Sequence, residues 1–342
     1  MKKSIVLLLI FFIGIVSSCK KKPVVPDVVD VAPTNLTLSA TVTTDNSGNV
    51  NFVAAATNAV MYEYDFGNGV YQNVANGIVT YKYLQSGTYT VNVTAKSATN
   101  KTISKSTSVT VAVQFNLVWS DEFNSAGAPD ASKWSYDLGA GGWGNNELQN
   151  YTSRVDNSLV DNGTLKINLK REAFGGSAFT SARIITKNKF SFKYGKVECS
   201  AKLPAGGGTW PAIWMLGDNI NTVSWPACGE IDIMEHVGNE LNKIYATLHY
   251  PGNSGGNGVG STKIISNATT AFHKYGMEWN ASQIKFYIDD VLFYSFTNTN
   301  ALPFNQNFFL ILNVAIGGNF GGVVDPAFNA ATMEIDYIRV FQ

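Results

Sequence analysis

Glu230-Ile-Asp232-Ile-Met-Glu235 sets three carboxylates into one short apolar stretch. Side chains alternate along a β-strand, so Glu230 and Asp232 share one face while Ile231 and Ile233 share the other. Strict alternation would turn Glu235 toward the apolar layer, where an unpaired charge is costly or the group stays protonated. One extra residue removes the conflict. A β-bulge near Ile233 or Met234 lets two residues occupy one step of the ladder and returns Glu235 to the face of the other acids. Aromatic and glycine-rich segments surround the triplet: Gly206-Gly-Gly-Thr-Trp210-Pro-Ala-Ile-Trp214 precedes it and Trp225-Pro-Ala-Cys-Gly229 leads into it. Indole faces stack on the C–H faces of sugar rings. Two carboxyl groups, one protonated and one ionised, can break a glycosidic bond, and like-charge crowding splits pKa values in that sense. The plainer reading, a solvated acidic strand, leaves these aromatic surroundings without a purpose.

In such chemistry a carboxyl separation of about 5 to 5.5 Å lets one group attack the anomeric carbon, whereas about 6.5 to 9.5 Å admits an inverting water. Two glutamates on one curved strand fit the shorter distance and hence double displacement with retention. Spacing does not say which of them attacks. Trp210, Trp214 and Trp225 are the candidates for sugar stacking, although Trp214 sits in an alternating apolar run that also suits a core residue. His249, in Thr-Leu-His-Tyr, is a candidate whose plainer reading is structural, and His236 and His273 are read as structural. No His/Cys cluster has metal-ligand spacing, so no catalytic zinc is expected.

The segment Trp225-Pro-Ala-Cys-Gly-Glu-Ile-Asp-Ile-Met-Glu-His236 resembles the catalytic signature of family 16 glycoside hydrolases, in the bulged form typical of the laminarinase branch. Further segments resemble the same branch in the same order: Trp119-Ser-Asp-Glu-Phe123, Gly142-Trp-Gly-Asn-Asn-Glu-Leu-Gln149, Ser181-Ala-Arg-Ile184, Tyr194-Gly-Lys-Val-Glu198, Phe308 to Gly318 and Ile335-Asp-Tyr-Ile-Arg-Val340. The resemblance spans residues 116–342 and implies an all-β, concanavalin-like jelly-roll sandwich. It implies Glu230 as nucleophile, Glu235 as acid/base and Asp232 as the partner that hydrogen-bonds the nucleophile. Trp143, Asn146 and Arg183 would lie on the donor side, Arg183 having the plainer reading of an ion-pair partner. Asp336 matches the aspartate that holds a structural calcium on the convex side in many members, a position also suited to a solvated acid. The activity implied is endo-cleavage of β-1,3-glucosidic bonds in laminarin-type glucans. Mixed-linkage glucan or a galactan such as agarose is the alternative within the family, and a non-catalytic glucan-binding protein the alternative outside catalysis. Intact acids argue against the last.

Met-Lys-Lys-Ser followed by an apolar run from Ile5 to Val16 reads as a signal peptide over residues 1–18, since about 20 residues are needed to span a bilayer. Val16-Ser-Ser-Cys19 resembles a bacterial lipobox, so Cys19 is expected to carry a lipid anchor in the cell envelope, at the outer membrane. Residues 19–31 read as a charged, proline-bearing tether. Between 32 and 113, short alternating runs separated by turn residues predict a small Ig-like β-sandwich. Within it Tyr64-Asp-Phe-Gly-Asn-Gly69 is similar to the PKD signature, with Tyr64 and Asn68 in place of its usual Trp and second Asp. A spacer suits this module better than a glucan binder.

The 342 residues are 45% hydrophobic and 15% charged with a formal net charge of zero, which fits extracytoplasmic β domains and a neutral glucan rather than nucleic acid. Besides Cys19 only Cys199 and Cys228 occur, read as free buried thiols. No cofactor is expected for catalysis, and the chain is expected to be a monomer.

Overall fold

The computed structural model describes residues 31–342. The signal peptide, the lipidation at Cys19 and nearly all of the tether lie outside the described residues. Among the described residues no helix is long and apolar enough to cross a membrane.

Residues Thr34–Val111 form one three-stranded sheet, in the order Thr34–Val42, Asn49–Thr57, Ile78–Lys82, and one four-stranded sheet, Tyr71–Val74, Met61–Asp65, Gly87–Lys96, Thr102–Val111. Both supply side chains to one apolar cluster in which Phe52, Tyr64, Phe66, Tyr83, Val91 and Val93 are fully buried. Tyr64, standing where the signature has Trp, keeps its polar tip satisfied by donating to the Gly77 carbonyl at 2.7 Å. Asn68 acts as a turn residue, its carbonyl accepting the Val70 N–H at 3.3 Å and its amide donating to the Tyr81 hydroxyl at 2.9 Å.

The larger unit is two sheets around one core, antiparallel except where Gln149–Tyr151 pairs parallel with Ser177–Ser181. The ten-stranded sheet runs Gln149–Tyr151, Ser177–Ser181, Thr164–Phe174, Ala330–Phe341, Gly195–Lys202, His273–Trp279, Gln283–Ile288, Val291–Thr297, with Ser158–Asp161 and Leu117–Asp121 paired beside it. The seven-stranded sheet runs Val259–Ile264, Lys243–His249, Glu230–His236, Thr209–Gly217, Phe308–Ile316, Arg183–Ile185, Ser135–Tyr136. Period-two patterning decides which face goes inside. In Phe308–Ile316 the even positions Phe308, Leu310, Leu312, Val314 and Ile316 enter the core, and in Lys243–His249 so do Ile244, Ala246 and Leu248. The opposite sheet meets them with Leu165, Ile167, Leu169, Val197, Met277, Trp279, Ile335 and Ile338. Each such side chain contributes about 1.5–3 kcal/mol on burial. The acid strand is thereby anchored from behind. Cys199 lies in this core and Cys228 in a smaller cluster with Leu216 and Phe309; both are free and buried.

The expected bulge is present. Trp214 pairs with Asp232 and Ile213 with Met234, so Ile233 has no partner of its own on that side. On the other side Asp232 faces Thr247 and Glu235 faces Tyr245, leaving two residues against Ala246 alone. Ile233 and Met234 both point into the core, and Glu230, Asp232 and Glu235 come out on the opposite face.

Deleting Met234 would leave Glu-Ile-Asp-Ile-Glu, in which plain alternation already puts the acids on one face. This variant is expected to fold with a loss of about 2–4 kcal/mol for the missing core side chain. Inserting one alanine after Met234 forces a choice: keeping the bulge drives Glu235 into the core, and plain alternation turns Met234 out onto the face of the acids, so either way it is expected to destabilise more than the deletion. Urea unfolding of both variants, followed by tryptophan fluorescence, checks the order. A more stable insertion variant would refute the role given to the bulge.

Candidate active site

The outer face of the seven-stranded sheet lines a cleft of about 710 Å³. The acid strand runs through it with a row of cleft residues on each side. Leu216, Trp214 and Ala212 pair with Glu230, Asp232 and Glu235 on one side, and His249, Thr247 and Tyr245 pair with the same acids on the other. Cross-strand neighbours on one face lie about 4.5–5.5 Å apart, so each acid meets a donor or a small residue directly.

The donors are specific. Trp225 Nε1–H donates to Glu230 Oε2 at 2.5 Å. Trp210 Nε1–H donates to Glu235 Oε1 at 3.0 Å, and the Thr247 hydroxyl donates to Glu235 Oε2 at 3.2 Å. His249 Nε2 stands 3.3 Å from Asp232 Oδ2. Asp232 is 2% exposed and Glu235 8%, whereas Glu230 is half-buried and opens on the cleft.

Burial pushes Glu230 well above the ordinary carboxylate range, and the neighbouring charge of Asp232 adds to it, while His249 and the Trp225 N–H pull it back. Burial also raises Asp232 strongly, with Glu235 contributing. Glu235 is raised by burial against the opposing hydrogen bonds of Trp210 and Thr247 and the charge of His249. All three carboxyl groups thus bind their protons more tightly than ordinary carboxylates do.

At the other end of the cleft Arg183 lies between two indoles, its guanidinium carbon 4.9 Å from the Trp143 ring and 4.7 Å from the Trp214 ring. Its Nε also sits 2.9 Å from Asp137 Oδ2, so the stacked and the ion-paired readings hold together. Trp214 likewise combines two roles: it lines the cleft, packs on the cluster of Leu216 and Phe309, and donates Nε1–H to Asn313 Oδ1 at 2.7 Å. Trp143 adopts a left-handed backbone, φ 48° and ψ 32°, inside a glycine-rich turn. A bulky residue pays strain there, and such strain gathers at functional loops.

Asn146 departs from expectation. Its backbone is left-handed at φ 59°, its amide donates to Asn319 Oδ1 at 2.9 Å, and Asn145 takes the place in the cleft wall. Two adjacent asparagines in a tight turn give a sequence reading no means of telling which faces inward. Glu147 was not anticipated. Its carboxylate lines the cleft, accepts from Gln149 at 2.5 Å and from the Tyr151 hydroxyl at 3.2 Å, and is raised by burial. Tyr245, Thr247, Asn313 and Phe320 also line the cleft. Tyr245 and Thr247 were readable in principle, since they share His249's face at period two. Phe320 meets both Trp210 and Tyr245 edge-on, at 5.4 and 4.9 Å.

The remaining histidines sit apart from the cleft: His236 is buried with Nε2 against the Leu241 carbonyl at 2.9 Å, and His273 pairs with Asp289 at 2.7 Å. Asp336 is exposed at a bulge of Ala330–Phe341 in the ten-stranded sheet. It belongs to no group of three converging His, Cys, Asp or Glu side chains among the described residues, so a calcium there would have to rest largely on main-chain oxygens and water.

A jelly-roll of this kind with paired carboxylates in an indole-lined cleft defines a carbohydrate-cleaving enzyme. A family profile described as "Glycosyl hydrolases family 16" matches residues 145–339, and the chain belongs to that family. A second profile, for the beta-glucan synthesis-associated proteins SKN1/KRE6/Sbg1, matches residues 39–230 and stops before Asp232 and Glu235. The chain is 43% identical over 247 residues to a beta-glucanase of Rhodothermus marinus, covering 68% of this chain and 86% of the relative. It is 38% identical to a glucan endo-1,3-beta-glucosidase of Cryptopygus antarcticus, over 65% of this chain and 90% of the relative. The X-ray structure of the laminarinase from Rhodothermus marinus superposes with a TM-score of 0.65 at 44% identity, over 67% of this chain and 98% of that one. The protein is a glycoside hydrolase.

The raised acids have a consequence for stability. Each binds its proton more tightly folded than unfolded, so the folded state loses stability as pH rises from the ordinary glutamate value of 4.5 toward the raised values. Glu235→Gln removes one such group. Its melting temperature should exceed that of the wild type by a few degrees at neutral pH and converge with it below 4.5. Thermal melts followed by circular dichroism over that range test this. Parallel pH profiles for the two proteins would contradict it.

Proposed function

We propose that the chain is an endo-acting, retaining glycoside hydrolase that cleaves β-1,3-glucosidic bonds in laminarin-type glucans. The observation that carries this reading is the bulged strand that presents Glu230, Asp232 and Glu235 together, with an indole N–H on each glutamate. Glu235, buried and raised, keeps a proton to give to the leaving oxygen. Asp232 is raised by burial and by the charge of Glu235, and when it carries a proton its like charge is lifted from Glu230 and it can hydrogen-bond that carboxylate. Glu230 then ionises, favoured by Trp225 and His249, and attacks the anomeric carbon from the cleft side. In the second half Glu235 takes the proton of the incoming water, which attacks the glycosyl ester and releases Glu230. Side chains alone supply this chemistry, so it needs no cofactor.

The walls fit a neutral glucan. Arg183 is the sole Lys or Arg lining the cleft among the described residues, and it already faces Asp137. A sulfated galactan would need free cations there. Trp210, Trp225, Trp143 and Trp214 offer the apolar faces that sugar rings require, with Asn145 and Glu147 as polar partners at the Arg183 end. We further infer that the PKD-like module is a spacer, that Cys19 tethers the monomeric enzyme to the cell envelope, and that any calcium at Asp336 is structural.

Glu230→Gln is expected to abolish hydrolysis with folding and glucan binding kept, and Glu235→Gln to lower the rate by about 10²–10⁴-fold. Product analysis on laminarin, mixed-linkage β-glucan and agarose, with NMR of the first-formed anomer, tests linkage and stereochemistry together. Wild-type turnover in the Glu230 variant, or an inverted first anomer, would overturn the mechanism.

A further inference from the structure

We propose that Glu230, Asp232 and His249 also form a binding site for one borderline divalent transition-metal ion, such as Zn²⁺, whose capture and glycoside cleavage exclude each other. One donor atom from each residue lies within 4.8 Å of the other two. Asp232 Oδ2 is buried and makes no hydrogen bond, although His249 Nε2 stands 3.3 Å away. That separation already matches the edge of a zinc tetrahedron, about 3.3 Å for bonds of about 2.0–2.1 Å. Asp232 and His249 therefore need little movement to share an ion.

Glu230 is the third ligand and the one that has to move, against the 2.5 Å hydrogen bond that its Oε2 accepts from Trp225. It is half-buried, faces the cleft, and must close by roughly 1.5 Å to complete the tetrahedral edges. His249 is placed firmly: a Cβ added at Gly258 would come within 2.5 Å of its Cε1, so the facing loop packs closely on the ring. Its Nδ1 is buried without a hydrogen-bond partner, so the tautomer that bares the Nε2 lone pair leaves one N–H unpaired, a cost that the metal bond has to outweigh. The fourth position opens on the cleft and can take water.

The donor set selects the metal. One imidazole and two carboxylates suit Zn²⁺ or Cu²⁺, whereas Ca²⁺ seeks six to eight oxygens that the site does not offer. Electrostatics favours it as well, since a dication relieves the repulsion among three crowded acids. The ion would occupy the Glu230 oxygen that the proposed attack requires, so it inhibits and does not catalyse.

Calorimetric titration of the full chain with ZnCl₂ at neutral pH tests this. One ion per chain is expected, with binding at least tenfold weaker in His249→Ala and in the near-isosteric Glu230→Gln. His273→Ala, which removes the surface histidine paired with Asp289, should bind as the wild type does, and CaCl₂ should not displace the zinc. Circular dichroism of each variant separates lost ligands from lost folding. No binding up to about 1 mM, or binding unchanged in both ligand variants, would refute the site. The titration does not depend on the substrate: failure to cleave any glucan would overturn the functional reading and leave this one standing. With an active enzyme, zinc should stop hydrolysis and EDTA restore it.

Discussion

Three carboxylates crowded on one strand, with a single imidazole beside them, create a repulsion that the cleft is arranged to contain. In a site of low effective dielectric, like charges a few Å apart are costly, and the protein answers by binding protons more tightly rather than by adding cations. Arg183 stays at the other end of the cleft with Asp137, and lysines are absent from its described walls. What surrounds the acids instead are neutral donors: two indole N–H groups and a threonine hydroxyl. Neutral donors orient a carboxylate without fixing its charge state, which a group that must alternately give and take a proton requires. A lysine in place of Thr247 would hold Glu235 ionised and unable to act as an acid.

The tryptophans consequently do more than stack. Trp210 and Trp225 each commit their single donor to a glutamate, which fixes the plane of the ring as well as the carboxylate. Trp214 commits its donor to Asn313, whose amide in turn donates to the Tyr151 hydroxyl at 3.0 Å, and that hydroxyl donates to Glu147. The Arg183 end of the cleft is thus held by a run of hydrogen bonds that are buried or partly buried, and its ring faces are set before a sugar arrives. Preorganisation of this kind lowers the ordering cost of binding.

Local patterning made the acid strand legible. Alternation, the apolar neighbours and the one-residue excess before Glu235 together required a bulge at Ile233 or Met234, and the ladder places it there. The jelly-roll and the family followed from ordered motifs along residues 116–342. What escaped was decided by non-local pairing. Glu147 reaches the cleft because its segment bridges to Gly317, far along the chain, and nothing near it in sequence announces that contact. Asn145 rather than Asn146 faces inward because a left-handed turn inverts the usual direction of the side chain. The convergence of His249 on Asp232 is likewise a product of strand pairing: Glu230 faces His249 in the ladder, and the ring leans back toward the next acid.

The bulge also resolves a tension between function and packing. A straight strand would satisfy the acids with one residue fewer, so the extra residue needs its own reason. By sending both Ile233 and Met234 inward, the bulge adds a second apolar side chain at the point where the opposite face is most heavily charged. Two buried aliphatic chains contribute about 3–6 kcal/mol directly beneath acids that burial disfavours in their charged form. Bulges also increase local twist, which turns Glu235 relative to Glu230. The same irregularity therefore brings Glu235 out beside the other two acids and helps to stabilise the strand against the charges it carries.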